Sequence, residues 1–311
     1  MRENVKTGCI VVTYNRLELL KLNISALEKQ TYKLSKIYIV NNCSTDGTDR
    51  YLAEYNNNPL FEIITLDKNI GGAGGFATGI KKAVLDHCQW VWVMDDDTIP
   101  DEHALTRLMA ATKLKQQTGF VCSKVIWTDG KPHAMNKANP IEQSEESFNS
   151  YSTPDIPAFL IESATFVSTL INADAILKVG LPIKEFFIWA DDIEYTQRIS
   201  QNGFCGFYVD NSIVLHHTAE NYAPMIDTAP ISVAWKFYYQ ARNLTYIKSR
   251  RKNRLSLFLS TINMYRSYMR LIRKRPRNER QILKRNIIKG CIDGLSFNPT
   301  IEFIQTESPK K

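Results

Sequence analysis

The chain has 311 residues and a net charge of +7, with 44% hydrophobic and 23% charged residues. These values exclude a wholly disordered, collagenous or multispanning chain and argue for one large domain with an appendage. The net charge hides an asymmetry: residues 1–230 carry 20 Lys and Arg against 28 Asp and Glu, a net −8, and residues 231–311 carry 19 against 4, a net +15. An acidic body (1–230) and a basic tail (231–311) point to two jobs.

Short apolar runs alternate with helical patterns along the first hundred residues. Residues 8–13 form a continuous, β-branched run that fits a strand buried on both faces. A helix follows with Leu17, Leu20, Ile24 and Leu27 on one face. Residues 36–40 read as a second strand, running into the turn-rich Asn41-Asn42-Cys43-Ser44-Thr45-Asp46-Gly47-Thr48, with a short helix over 47–55. Residues 61–66 read as a third strand, 69–75 as a glycine loop, 76–86 as a helix and 90–94 as a fourth strand ending in Asp95-Asp96-Asp97. This alternation predicts a parallel α/β sheet, in which ligands bind at the carboxyl ends of strands. Every polar cluster so far follows such an end.

Residues 128–158 are polar and contain four prolines, a pattern that predicts a long functional loop. Trp189 leads into Ala190-Asp191-Asp192, which opens a helix; two short strands, 208–209 and 213–215, lead to His216-His217. From Ile231 onward the pattern is helical, basic and aromatic, with a basic turn at 273–277. The six cysteines form no CxxC pair, which speaks against a zinc ribbon or disulfide framework and suits a reducing compartment. The first apolar run is too short for a signal peptide, and no run approaches the roughly 18 apolar residues of a membrane span. The expected location is cytoplasmic.

Three adjacent carboxylates at the end of an apolar strand repel one another unless a cation sits among them. Oxygen ligands suit Mg²⁺ or Mn²⁺, which keep open positions for phosphate oxygens. Asp191 and Asp192 open a helix, where they either cap its terminus or supply a general base. Glu194 supports the helix start or orients an acceptor. His216-His217 offers a neutral imidazole that could complete a metal site. The glycine loop either lets backbone N–H groups approach a phosphate or belongs to a dinucleotide fold, although its spacing is not GxGxxG.

Six stretches together carry a resemblance: VVTYNR (11–16), IVNNCSTDGT (39–48), NIGGAGGF (69–76), WVMDDDT (92–98), WADDIEYTQR (189–198) and VLHH (214–217). Over roughly residues 7–245 the sequence resembles a family 2 glycosyltransferase of the GT-A fold, most of all the galactofuranosyltransferase branch, with rhamnosyltransferases sharing much of the pattern. The resemblance implies a Rossmann-like, mostly parallel sheet flanked by helices, and a metal-dependent inverting transfer. It implies donor contacts from Thr13, Asn15, Arg16, Asn41, Asp46, Asn69, Gly74, Asp95 and Asp96, with Asn41 offering its carbonyl oxygen to the base N3–H. Asp95, Asp97 and His216 would hold Mn²⁺ or Mg²⁺. Asp192, with Asp191 alongside, would be the base, and Trp189 and Glu194 would meet the acceptor. Arg16 or Arg242 would assist the diphosphate.

The expected partners are a UDP-sugar and a glycan or lipid-linked glycan of the cell surface. The tail reads either as a helical annex packed on the body or as an interfacial element at the inner face of an anionic membrane. No nucleic-acid motif accompanies its charge. Rival readings are a deoxythymidine-diphosphate-rhamnose-dependent transferase, a nucleotidyltransferase and a non-catalytic nucleotide-sugar binder. Oligomeric state stays open.

Overall fold

A computed structural model describes residues 5–136, 138, 140–141, 151–249 and 253–305. Four parallel strands come first: β1 (Thr7–Thr13), β2 (Lys36–Asn41), β3 (Phe61–Thr65) and β4 (Trp90–Asp95), ordered β3-β2-β1-β4. They alternate with α1 (Leu17–Glu28), α2 (Thr48–Ala53) and α3 (Gly71–Leu85). The run Cys9-Ile10-Val11-Val12 is apolar throughout because helices cover both sides of the sheet. Ile10 and Val12 pack with Phe76 and Ile80 of α3; Cys9 and Val11 pack with Leu20, Ile24 and Leu27 of α1. Each of those leucines and isoleucines contributes about 1.5–3 kcal/mol by leaving water.

Beyond β4 the sheet becomes mixed. β5 (Thr98–Pro100) and α4 (Ala104–Ala111) precede β6 (Thr118–Ile126), β7 (Ala158–Ile161) and β8 (Thr169–Asn172). β8 runs antiparallel between β4 and β6, and β9 (Cys205–His216) lies parallel to β6. The two short strands expected at 208–215 are therefore one long strand with a register shift near its middle. Its far edge pairs antiparallel with β7 at one end and β5 at the other. The pairing of Thr98 with His216 brings the aspartate turn to the histidine.

The glycine segment departs from the expected loop: α3 begins at Gly71, so the glycines form its first turns. Gly74 and Gly75 press on Ile70 and Val12, where any larger residue would force helix and strand apart. Of the polar segment 128–158, residues 142–150 lie outside the described part.

α5 (Ala173–Val179) and α6 (Asp191–Gln201) flank the mixed half, and α7 (Lys236–Ser249), α8 (Arg254–Ile272) and α9 (Arg277–Ser296) complete the chain. The last three share a separate core built on Phe237, Ala241, Met264, Leu283 and Ile287. Ile226 and Ala229 belong to it as well, so that core begins before residue 231. The tail then returns to the body: Glu302 pairs with Lys81 at 2.6 Å, and Ile304 enters the core beneath α3.

Candidate active site

β1, β2 and β4 end at one edge, with Thr13 beside Asn41 and Val12 beside Asp95. The turns beyond them are tied together by short side chains. Asn15, at φ 53°, accepts a hydrogen bond from the Thr45 amide (2.7 Å) through its Oδ1. Asp46 accepts from the Leu17 amide (3.0 Å) at the start of α1 and from Thr48 Oγ1 (2.6 Å). Burial pushes the Asp46 carboxyl up, but these hydrogen bonds outweigh it and hold the group below the usual carboxylate range. Asn69 accepts from the Gly71 amide (2.8 Å), and the Asn42 carboxamide brackets Ile70 and Gly71. Asn15, Asp46 and Asn69 thus fix the turns beyond β1, β2 and β3, and Gly74 packs on Ile70 behind them. Asn41 Oδ1 accepts from the Ser44 amide at 3.0 Å, which leaves that oxygen its second lone pair, and its buried Nδ2 has no hydrogen-bond partner.

The three aspartates divide their work. Asp96 accepts from Thr13 Oγ1 (2.8 Å) and the Tyr14 amide (3.3 Å), which ties the β1 turn to the end of β4. Asp97 is buried and meets Arg16 on one oxygen. Its other oxygen, Oδ1, lies 3.2 Å from His216 Nε2 yet has no aligned hydrogen-bond donor. His216 Nδ1 is 2.9 Å from Asn136 Oδ1, an acceptor that places the ring proton on Nδ1 and leaves an Nε2 lone pair facing Asp97. A cation beside Nε2 and Oδ1 would satisfy both atoms at once. Asp95, Asp97 and His216 offer ligand atoms that all lie within 4.8 Å of one another. Two carboxylates and an imidazole suit Mn²⁺ or Mg²⁺ with positions left open. Without a cation's charge, burial and the neighbouring Asp97 and Asp96 push Asp95 well above its ordinary range. Burial also lifts Asp96 to about 7, against the pull of Arg16. His217 is exposed and contributes only its amide, to the Asp97 carbonyl at 2.8 Å, so the doublet resolves in favour of His216. His133 stacks on His216 with ring centroids 4.4 Å apart, and burial lowers it to about 4.

The second acidic pair arrives on an unusual turn. Phe187, Trp189 and Ala190 have φ of 65°, 63° and 67°, a region non-glycine residues avoid. Asn243 of α7 compensates. Its fully buried Nδ2 donates to the carbonyls of Phe186 (3.1 Å), Ile188 (3.3 Å) and Trp189 (2.8 Å). Gly71, at φ 78°, leaves room for the turn: a Cβ there would stand 2.1 Å from the Phe187 oxygen. The turn delivers Asp191 and Asp192 to the first residues of α6. Burial raises both, Asp191 to about 8 with the Asp192 charge adding to it, and Asp192 to about 6. Asp191 lies close enough to Asp95 for its charge to raise that group too. Glu194 departs from its expected acceptor role, for it is locked in a buried pair with Arg198 at 3.0 Å. Arg198 in turn donates to the Leu181 carbonyl at 3.0 Å.

α7 brings a group that spacing and motif do not single out. Lys236 lies near Asp95, Asp97 and Arg16, and burial followed by the Arg16 charge lowers its pKa. Its ammonium stands 5.6 Å from the Trp189 ring centroid and 5.7 Å from that of Trp235. Arg242 points elsewhere. It sits over Phe297, 4.1 Å from the ring centroid, and donates to the Glu185 and Phe186 carbonyls. Trp189 packs edge-on against Phe237 at 5.2 Å, at the border between body and tail.

This edge of the sheet has counterparts among known proteins. The family model described as Glycosyl transferase family 2 matches residues 9–175, more than half of the chain. The chain belongs to glycosyl transferase family 2. Among curated relatives it is similar to the galactofuranosyltransferase GlfT1 of Mycolicibacterium smegmatis, 26% identical over 203 residues. That match takes in 62% of this chain and 65% of the relative, so the chain spans just under two thirds of that protein's length. Among solved structures it is similar to GalNAc-T7 with UDP, GalNAc and Mn²⁺ (TM-score 0.59, 17% identity, 79% of this chain and 51% of that one). It is also similar to the mannosyltransferase PcManGT from Pyrobaculum calidifontis in complex with GDP-Man and Mn²⁺ (TM-score 0.54, 14% identity, 93% and 87%). The fold is thus the GT-A type expected from the sequence.

Within this family-2 frame, Arg16, Asn41, Asp95, Asp97, Asp191 and His216 converge, whereas Glu194 and Arg242 turn into structural contacts. Asn136, Lys236 and Asn243 join the site without a sequence signal. Each is a single residue tied to the site by a group far away in the chain: Asn136 by His216, Lys236 by Asp95 and Asp97, and Asn243 by Trp189.

Proposed function

We propose that the protein is a metal-dependent, inverting galactofuranosyltransferase. It takes galactofuranose from a UDP donor and adds it to a lipid-linked or growing cell-surface glycan at the inner face of the membrane. The observation that carries this reading is the meeting of Asp95, Asp97 and His216 around one point, with Asp191 near enough for its charge to bear on Asp95. The printed name of the curated relative supports the sugar, and the UDP and Mn²⁺ in a structural relative support the donor and the ion.

Asp95, Asp97 and His216 would hold the ion, which supplies positive charge to the departing diphosphate. Asn136 keeps His216 in the tautomer whose Nε2 can ligate. Arg16 is half exposed and can exchange its Asp97 contact for a phosphate oxygen. Lys236 adds a second cation to the same space. Asn41 presents an N–H through Nδ2, which suits a carbonyl oxygen of uracil. Asp192 accepts the proton of the acceptor hydroxyl as that oxygen attacks the anomeric carbon opposite the leaving diphosphate. Burial lifts Asp192 to about 6, which makes it a stronger base than an ordinary carboxylate while leaving it mostly ionised at pH 7. One displacement inverts the anomeric centre. Residues 1–230 hold the donor; Trp189, at the edge of the tail, faces the acceptor.

The test is a donor panel of UDP-galactofuranose, UDP-galactopyranose and deoxythymidine-diphosphate rhamnose, read by nucleoside diphosphate release with Mn²⁺ and with excess chelator. Release from UDP-galactofuranose alone, abolished by chelator, is expected. Preference for the rhamnose donor would move the assignment to that sugar, and undiminished release in chelator would remove the metal.

A further inference from the structure

We infer that α8 and α9 together form a docking face for an anionic bilayer leaflet. Leu255, Phe258 and Leu259 of α8 are 69%, 52% and 52% exposed, and Ile288, Ile292 and Leu295 of α9 are 42%, 61% and 43% exposed. Their spacing of three and four puts each set on one stripe of its helix. Phe258, Ile262 and Tyr265 face Ile288, Ile292 and Leu295 across a groove of ≈ 280 Å³. An adjoining groove of ≈ 520 Å³ shares Ile288 and Ile292 and is rimmed by Lys284, Arg285 and Lys289.

Lys284 and Arg285 on that rim are exposed, and exposed Arg266, Arg270 and Arg273 add positive charge along α8 and just after it. The acidic residues described after position 230 are all engaged: Glu279 with Arg275 (2.7 Å), Asp293 as acceptor from Tyr238 (2.7 Å) and Glu302 with Lys81 (2.6 Å). Asp293 also lines the second groove, where it is the one described carboxylate against Lys284, Arg285 and Lys289. A second copy of the chain would bring like charge against like charge. A nucleic acid would match the rim but waste the apolar stripes. An anionic leaflet matches both at once, taking the stripes into the acyl boundary and the rim among lipid phosphates. No described helix is long and apolar enough to cross a membrane, so the contact is along the surface.

The docking face is joined directly to the site. A Cβ on Gly290 would stand 2.4 Å from the Tyr238 carbonyl oxygen, and one on Gly294 would stand 2.6 Å from Thr245 Cβ, so α9 rests on the backbone of α7. α7 carries Lys236 and Asn243. The face that meets the leaflet therefore sets how far the acceptor side of the site stands from it.

The experiment is cosedimentation of the full chain with phosphatidylglycerol–phosphatidylcholine vesicles and with phosphatidylcholine vesicles, at low and at high salt. The wild type should pellet with the anionic vesicles at low salt and be released as salt rises. Phe258→Ser with Ile292→Ser should weaken that partition about tenfold or more, from lost apolar burial. Lys284→Glu with Arg285→Glu should weaken it by a similar factor, from reversed charge. Both pairs are exposed, and melting temperatures near the wild type's should show that they fold. Nucleoside diphosphate release with a water-soluble acceptor should be unchanged in both, which separates this inference from the donor assignment. A wild type indifferent to anionic vesicles at low salt would overturn it, as would both double variants binding like the wild type. So would a wild-type dimer in sedimentation velocity that the serine pair dissolves, since the face would then belong to a second copy.

Discussion

The body and the tail handle charge in opposite ways. In the body, Asp95, Asp96 and Asp97 crowd at one sheet edge with Asp191 in electrostatic reach of Asp95, and burial raises three of these four, as it does Asp192 at the start of α6. In the tail, Arg266, Arg270, Arg273, Lys284 and Arg285 stand in water, where their mutual repulsion is screened and costs little. The body stores unfavourable electrostatics that a cation and a substrate can relieve; the tail displays charge that a surface can collect. α7 joins the two, with Lys236 facing the aspartates and Asn243 holding the turn that aims Asp191 and Asp192.

The contrast breaks most sharply at the aspartates. Asp97→Ala and Asp192→Asn should each lower transfer by at least about 10²-fold, the scale of a lost general base. They should differ in binding. Calorimetry should find that Asp192→Asn keeps its affinity for UDP with Mn²⁺, while Asp97→Ala loses the rise in Tm that Mn²⁺ gives the wild type. Full turnover in Asp192→Asn would pass the base role to Asp191, whose charge bears more directly on Asp95.

A smaller loss should follow where the tail supports the body. Asn243→Leu removes three carbonyl contacts at near-constant volume. At about 1 kcal/mol for each hydrogen bond, kcat should fall roughly 10- to 100-fold. KM for the donor should hold if, as proposed, the donor binds at the turns after β1, β2 and β4. An equal change in kcat and KM would make Asn243 a general fold residue instead. Lys236→Met should cost about tenfold in kcat/KM through the lost charge, near the lower end of charge-assisted contacts. Arg242→Lys, by contrast, should lower Tm while leaving turnover near wild type.

How far the sequence reveals this depends on the range of each interaction. β1 to β4 are legible because each is a short apolar run enclosed by helices, a local signal. β6 is harder to see, since its polar Ser123 is satisfied from afar by Ser168 and Ser212, both at 2.8 Å. β5 holds a proline and only three residues. The aspartate triplet and the histidine are legible as motif, yet only the pairing of Thr98 with His216 chooses between His216 and His217. The left-handed backbone at Phe187, Trp189 and Ala190 runs against the preference of all three residues, so no propensity could announce it. Asn243 is one of several polar residues in an aromatic helix, and its meaning comes from a turn 54 residues earlier. Asn41 stands at the end of β2 where the motif puts it, but its bond from the Ser44 amide and its unpartnered Nδ2 come from the turn that follows and carry no motif signal.

The gentlest test concerns stability. Asp191 sits at about 8 in the folded chain against an ordinary carboxylate value near 4 when unfolded. Between those values the folded state binds a proton that the unfolded state releases, so this group's contribution to stability is full below about 4 and is lost as pH rises toward 8. Asp191→Asn abolishes the titration. The variant should melt several degrees above the wild type at pH 8, and the gap should close as pH falls toward 5. Asp192 is coupled to Asp191, so the protons should leave in two steps whose apparent values belong to the pair rather than to either residue. Saturating Mn²⁺ should narrow the gap at pH 8, because a cation beside Asp95 offsets the charge that Asp191 meets there. A gap that does not depend on pH would mean that Asp191 acts through packing, and the stored repulsion would then have to lie with Asp95 and Asp96 alone.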